Sequence, residues 1–252
     1  MSPQPATASR AAASRVRRET VRIRGMTTSD ADLLDCVVTE TGPAPAHAII
    51  WLHGLGADGN DFAPIVPQLA AARSRAVRFV FPHAPVRPVT VNGGMAMRAW
   101  YDIRGVEVAR DQDTAGIRAA IADVERLIDA ELARGIPAER LLLAGFSQGG
   151  AIALRTGLAR ERGLAGVVAL SCYLLESDAV DDWLGSAAGE TPVFMAHGLH
   201  DPVVPVQLGR DSARVLAEHH VRVEWSEWPM PHAVCPEEIQ ALDRWLDARL
   251  AA

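Results

Sequence analysis

Ser147 lies at the centre of Gly145-Phe146-Ser147-Gln148-Gly149-Gly150, with a glycine two residues to either side. That spacing suits a serine at the tip of a sharp strand-to-helix turn, where the backbone is strained and the flanking positions must lack bulk. Leu141-Leu142-Leu143-Ala144 before it reads as an apolar strand, and Ala151-Ile152-Ala153-Leu154 after it reads as a helix. Such a turn lifts the Ser147 hydroxyl above the C-terminal edge of a sheet and directs the first amides of the helix toward it. The chemistry implied is nucleophilic attack on an acyl carbonyl. A serine hydroxyl is a poor nucleophile at neutral pH. A neutral imidazole must take its proton, and a carboxylate must hold that imidazole in one tautomer.

On a scaffold of this kind the acid follows a late strand and the base follows the last one. Pro192 to Ala196 is a late β-rich run leaving into a loop with Gly198 and Asp201, and Val223 to Trp225 leaves into a loop with His232. Both lie at C-terminal strand ends, where open α/β sheets bind ligands. The other histidines compete for the role of base. His197 and His200 flank Asp201 and are alternatives; His219 and His220 fit a solvated helix cap; His47 precedes a strand and is expected to be exposed. His83 ends a strand and fits the lining of a cleft. No H-x-x-x-H helix is present, so a metal is not expected. His53-Gly54-Leu55-Gly56-Ala57-Asp58-Gly59 follows the third strand. Its spacing matches neither G-x-G-x-x-G nor a P-loop, which disfavours a phosphate cradle. It suits an oxyanion hole, with the Leu55 amide as one donor and the amide of Gln148, the residue after the nucleophile, as the other.

These side chains need a scaffold. Short β-rich runs recur at Thr20–Arg24, Leu33–Val38, Ala48–Leu52, Val77–Phe81, Arg140–Ala144, Gly166–Leu170, Val193–Ala196 and Arg222–Trp225. Thr114 to Arg134 places Ile117, Ile121, Val124, Leu127, Ile128 and Leu132 on one helical stripe, stopped by Gly135 and Pro137. Val206–His219 and Pro236–Leu250 read as further amphipathic helices. The runs 49–52 and 141–144 are apolar on both faces, as central strands covered by helices on each side should be. The pattern predicts an α/β fold: a doubly wound, mostly parallel sheet with helices on both faces. His83 to Asp102 fits no element, and so long a loop inside a domain is usually functional.

Forty-nine percent of the 252 residues are apolar, enough for a sizeable core and too many for a disordered chain. No window approaches the roughly 18 uninterrupted apolar residues of a membrane span. All 25 basic residues are arginine. Six of them lie in residues 1–29 against one acid, and the rest of the chain is acidic without a basic stripe, which argues against a nucleic-acid partner. The Ala/Arg/Ser-rich start lacks the apolar core of a secretory signal; a disordered tail over 1–19 is preferred to a transit peptide, with a single domain over 20–252. Cys36, Cys172 and Cys235 are too few and scattered for a disulfide framework. Reduced thiols and a cytoplasmic location are expected, with Cys172 and Cys235 as buried fillers.

Six ordered motifs extend this reading. They are Leu52 to Phe62, Pro82-His83-Ala84-Pro85 with Arg87-Pro88, Arg98 to Asp102, Gly145 to Gly150, His197-Gly198 with Asp201 to Pro205, and Pro231-His232 with Cys235 to Glu238. Together they resemble the bacterial carboxylesterase and acyl-protein thioesterase family, the phospholipase/carboxylesterase branch of the α/β-hydrolases, from about Arg24 to the C-terminus. The resemblance implies Ser147 as nucleophile, Asp201 as orienting acid, His232 as base, and the Leu55 and Gln148 amides as oxyanion hole. It also implies a small, cofactor-free hydrolase, with the loop to Trp100 beside the acyl pocket. Trp100, Phe146, Leu174 and Val203 are the expected pocket residues, although Trp100, Leu174 and Val203 fit a core equally well. The activity expected is a serine carboxylesterase acting on short- to medium-chain acyl esters and thioesters, as a monomer or homodimer. The alternatives are an acyl-protein thioesterase acting on acylated proteins and a lysophospholipase acting on lysolipids. A catalytically silent binding protein on the same fold would have a broken triad, whereas Ser147, Asp201 and His232 are all present.

Overall fold

The computed structural model describes residues 17–21, 33–105 and 111–251. Ten strands are present among them: β1 (Arg17–Val21), β2 (Cys36–Glu40), β3 (His47–Leu52), β4 (Val77–Pro82), β5 (Val86–Val89), β6 (Met95–Arg98), β7 (Leu141–Phe146), β8 (Gly166–Leu170), β9 (Val193–Gly198) and β10 (Val223–Trp228). The helices are α1 (Ala70–Arg73), α2 (Thr114–Ala133), α3 (Gln148–Leu158), α4 (Val180–Trp183), α5 (Val206–Glu218) and α6 (Pro236–Leu250). Eight strands form one sheet in the order β1-β2-β4-β3-β7-β8-β9-β10, parallel from β4 to β10, with β2 antiparallel to both its neighbours. This is the mostly parallel, doubly wound sheet of an α/β-hydrolase.

The alternation of side chains along β3 builds two cores at once. Ala48, Ile50 and Leu52 pack with Ile117, Val124 and Leu127 of α2 and with α3. Ile49 and Trp51 point the other way, into a second core with α1 and with Leu242, Trp245 and Leu246 of α6. A strand buried on both faces has no polar side to offer, hence the unbroken apolar runs. The stripe on α2 meets the first core through Ile117, Val124, Leu127 and Ile128, and Asp113 caps the helix by accepting from Gly116 N at 3.1 Å.

Three expectations change. The first strand begins at Arg17, inside the segment assigned to the tail and ahead of the predicted Thr20. Its composition is polar, as an edge strand tolerates; among the described residues it pairs with β2 alone, from Arg17↔Glu40 to Val21↔Cys36. Residues 1–16 lie outside the described residues. His47, expected to be exposed, is the first residue of β3 and is buried. The 83–102 segment is not structureless: β5 and β6 form an antiparallel hairpin from Val86↔Arg98 to Val89↔Met95, turned at Gly93 and Gly94 in the left-handed region. Pro88, which reads as a strand breaker, is tolerated because this two-stranded ribbon is all edge.

One buried ionic cluster ties α2 to the antiparallel end of the sheet. Arg78 Nε of β4 donates to both Glu131 oxygens at 3.1 Å, and its Nη1 reaches Glu40 of β2 at 2.7 Å. Glu131 is fully buried. Burial, with the Glu131 charge adding to it, pushes the neighbouring Cys36 thiol up to about 12, so it stays protonated. Removing Glu131 leaves the buried Arg78 Nε without its acceptors and the part-exposed Glu40 as the remaining partner of the charge. Glu131→Ala should cost about 3–5 kcal/mol in urea unfolding; a loss below about 1 kcal/mol would show that water reaches Arg78 and the pair is not a closed interior contact.

Candidate active site

Ser147 has φ 54° and ψ −121°, a strained conformation for a residue with a side chain, at the junction of β7 and α3. Its glycine neighbours have no room for more. A Cβ on Gly145 would overlap the Gly149 backbone, and one on Gly149 would overlap the carbonyls of Leu52 and His53. The elbow is therefore pressed backbone to backbone on the end of β3. Ser147 N donates to Leu170 O at 2.8 Å, tying the turn to the end of β8.

Asp201 and His232 stand in the loops that follow β9 and β10, the two strands beyond β8. The Asp201 side chain is fully buried; Oδ1 accepts from the amides of Val203 and Val204, both at 2.8 Å, and Oδ2 accepts from His232 Nδ1 at 2.6 Å. With the proton on Nδ1, His232 Nε2 is an acceptor, which is the tautomer a general base requires. A Cβ on Gly198 would overlap the carbonyls of Met230 and Pro231, so the two loops cross in direct contact. Leu199 N to Trp228 O at 2.8 Å and His200 N to Met230 O at 3.1 Å fasten them. The His232 ring lies 4.7 Å from the ring of Phe146, the residue before Ser147. Among the described residues no hydrogen bond joins the Ser147 hydroxyl to His232, although both residues are half-buried and open to a ligand. Such links often close only around bound substrate.

The 53–59 loop, the expected oxyanion loop, is braced from three directions. Gly54 sits against Phe146 and Ser147, where a Cβ would come within 3.6 Å of the Ser147 Cβ. Gly56, at φ 77°, donates its amide to Arg98 O of β6 at 2.8 Å. The Trp100 indole donates to His53 O at 2.9 Å. Gln148 closes the ring: its Oε1 accepts from Trp100 N at 2.8 Å, and its Nε2 donates to Tyr101 O at 2.7 Å. Among the described residues neither the Leu55 nor the Gln148 amide donates a hydrogen bond.

Burial separates the remaining histidines by role. His53 Nε2 accepts from Ala84 N at 3.0 Å, which places its proton on Nδ1, donated to Gly54 O at 2.7 Å. Burial pulls its pKa down to about 4. His197 is fully enclosed, donates from Nε2 to Val204 O at 2.9 Å, and lies 3.4 Å from Asp201 Oδ2; burial lowers its pKa as well. It buttresses the acid and is shut off from substrate. His83 Nδ1 accepts from Gly59 N at 3.1 Å and shapes the oxyanion loop. His219 bonds Val215 O at a helix end, and His200 is exposed.

The expected pocket residues do not come together. Trp100 is 0% exposed and Leu174 1%, so neither presents a surface to a ligand; the indole is a strut under the oxyanion loop. Val203 is 59% exposed on the acid loop. Phe146 alone of the four lines the cavity that opens beside the site. That cavity holds about 370 Å³ between the 61–68 segment and the start of α6, walled by Phe62, Ile65, Phe146, Val234 and Ile239, with His232 at one end. Residue hydrophobicity pointed to Trp100 and Leu174, but only packing separates a core side chain from a pocket wall. Asp61 and Phe62, which line this cavity, stood in the motif beginning at Leu52.

The sheet order, the elbow and the loops gathered at one edge define an α/β-hydrolase. Residues 34–250 match the phospholipase/carboxylesterase family, and the chain belongs to it. It is 41% identical over 211 residues to acyl-protein thioesterase 1 of Neurospora crassa, spanning 80% of this chain and 86% of that one. A protein of the same name from Cryptococcus neoformans is 37% identical over 223 residues, spanning 81% and 93%. The crystal structure of Arabidopsis thaliana SOBER1 matches with a TM-score of 0.75 at 31% identity, covering 81% of this chain and 99% of that one. The chain is thus an ester or thioester hydrolase. Among the described residues no helix is long and apolar enough to cross a membrane.

His53 carries a pH prediction. Folding lowers its proton affinity below the ordinary imidazole value, so the unfolded chain takes a proton that the folded one refuses. Its contribution is complete above about pH 6.5 and is lost as pH falls toward 4, on the order of 2–3 kcal/mol in all. Urea unfolding at pH 7 and pH 4.5 should show His53→Asn losing less between the two than the parent chain. Equal losses would remove His53 from the acid response.

Proposed function

We propose that the protein is an acyl-protein thioesterase working through Ser147, His232 and Asp201. The single observation that carries the chemistry is the 2.6 Å contact from His232 Nδ1 to a fully buried Asp201, with the imidazole packed on the residue next to the strained Ser147. Ser147 Oγ attacks the thioester carbonyl while His232 Nε2 takes its proton. The Leu55 and Gln148 amides hold the tetrahedral oxyanion. The C–S bond breaks, the imidazolium returns the proton to the thiolate sulfur, and an acyl-serine remains. Water, deprotonated by His232, then releases the carboxylic acid and restores the serine.

The names of the Neurospora and Cryptococcus relatives favour this reading over a general esterase for short and medium esters. Their alignments span most of both partners. Acylated proteins are the proposed substrates, with lysolipids as the competing class.

Ser147→Ala should lose labelling by a fluorophosphonate probe and lower kcat/KM by about three orders of magnitude or more. Persistent labelling would remove Ser147 from the role. An S-octanoyl cysteine peptide should be hydrolysed with a higher kcat/KM than the matched O-octanoyl serine peptide or a lysophospholipid. A preference for the lysophospholipid would replace thioesterase with lysophospholipase, and no turnover of any of the three would make the fold a binding protein.

A further inference from the structure

The cavity beside His232 has a chemical character that the proposed reaction leaves unassigned, and its position fixes which half of the substrate it meets. In acyl transfer the imidazole hands its proton to the departing heteroatom, so the leaving group departs on the imidazole side. His232, Ala233 and Val234 belong to the cavity wall, whereas the oxyanion donors Leu55 and Gln148 do not. The cavity therefore lies on the leaving-group side.

Its charge is one-sided. Asp61 is an exposed carboxylate on the lining, and no ion pair or side-chain hydrogen bond engages it among the described residues. Gln68 is the other polar side chain there besides His232, and no arginine lines the space. Asp58 stands nearby, and partial burial together with that second charge raises the pKa of Asp61. The carboxylate is thus held with its charge uncompensated. Phe62 and Phe146, rings 5.5 Å apart and tilted by 39°, form the adjoining wall. An unpaired carboxylate beside aromatic rings favours a cation and repels an anion.

Resting on the thioesterase reading, we propose that this cavity is the leaving-group subsite and that Asp61 makes it select acylated cysteines with basic neighbours over those with acidic ones. The acidic body of the protein would also draw in cations from a distance, so the test must isolate the one carboxylate.

The experiment compares two S-octanoyl peptides identical except that the cysteine is flanked by arginines or by glutamates. Arginine is used because a lysine amine would itself attack the thioester. Wild-type protein should favour the arginine peptide in kcat/KM, and Asp61→Asn should shrink that ratio roughly three- to tenfold. A ratio unchanged by Asp61→Asn overturns the assignment of Asp61. Ile239→Trp, which fills the cavity, should raise KM for the peptides while leaving the acyl-length profile of a small methyl thioester series unaltered. If it instead shortens the acyl chain accepted, the cavity holds the acyl group and the subsite proposal fails. Both of those failures would leave wild-type thioester turnover and Ser147 labelling intact. Absence of turnover by the wild-type protein would instead sink the thioesterase reading, and the subsite with it.

Discussion

The constraint on which the rest depends is the lack of any space between the elbow and the end of β3. Gly149 meets the carbonyls of Leu52 and His53, and Gly145 meets Gly149 itself. Because the contact is backbone on backbone, no rotamer change can relieve it. The strained conformation of Ser147 is thereby imposed by two strands buried on both faces. The same contact sets Gly54 against Ser147 and so fixes the 53–59 loop relative to the proposed nucleophile. Any side chain at these glycines would part β3 from α3 before it touched the chemistry.

A second backbone crossing does the same for Asp201 and His232. Gly198 runs under Met230 and Pro231, and two amide hydrogen bonds fasten the loops beyond it. Buried histidines then serve as neutral scaffolding. His53 and His197 both lose proton affinity through burial, each with its proton committed to a backbone carbonyl. His232 differs from them in being half-open and in facing a carboxylate with its Nδ1. Exposure, more than residue type, separates the proposed base from its structural counterparts.

The sheet, the long helices and the strand ends bearing Ser147, Asp201 and His232 could be read from periodicity and glycine spacing, because those signals are local or set by chain order. The hairpin at 86–98 could not. Its strands are short, one contains Pro88, and its purpose is a contact between Gly56 and Arg98 that no local pattern encodes. The first strand was hidden by its arginines, since an edge position removes the apolar alternation on which strand reading depends. The burial of Trp100 and Leu174 was hidden for a related reason. Trp100, Leu174 and Phe146 are all apolar residues near the site, and their separation into strut, core and wall is decided by neighbours distant in sequence.

Gln148 joins two tasks in one residue. Its main-chain amide is a proposed oxyanion donor, while its side chain grips Trp100 and Tyr101, and the Trp100 indole in turn grips the carbonyl of His53, two residues from the other proposed donor. If both amides hold the oxyanion, the gap between them would be a gauge cut when the chain folds. A planar carbonyl and a pyramidal alkoxide differ in where their oxygen sits, and a jaw of fixed width can match only one of them. Discrimination between the resting and the reacting shape of the acyl group would then reside in a single buried amide side chain that never meets the substrate.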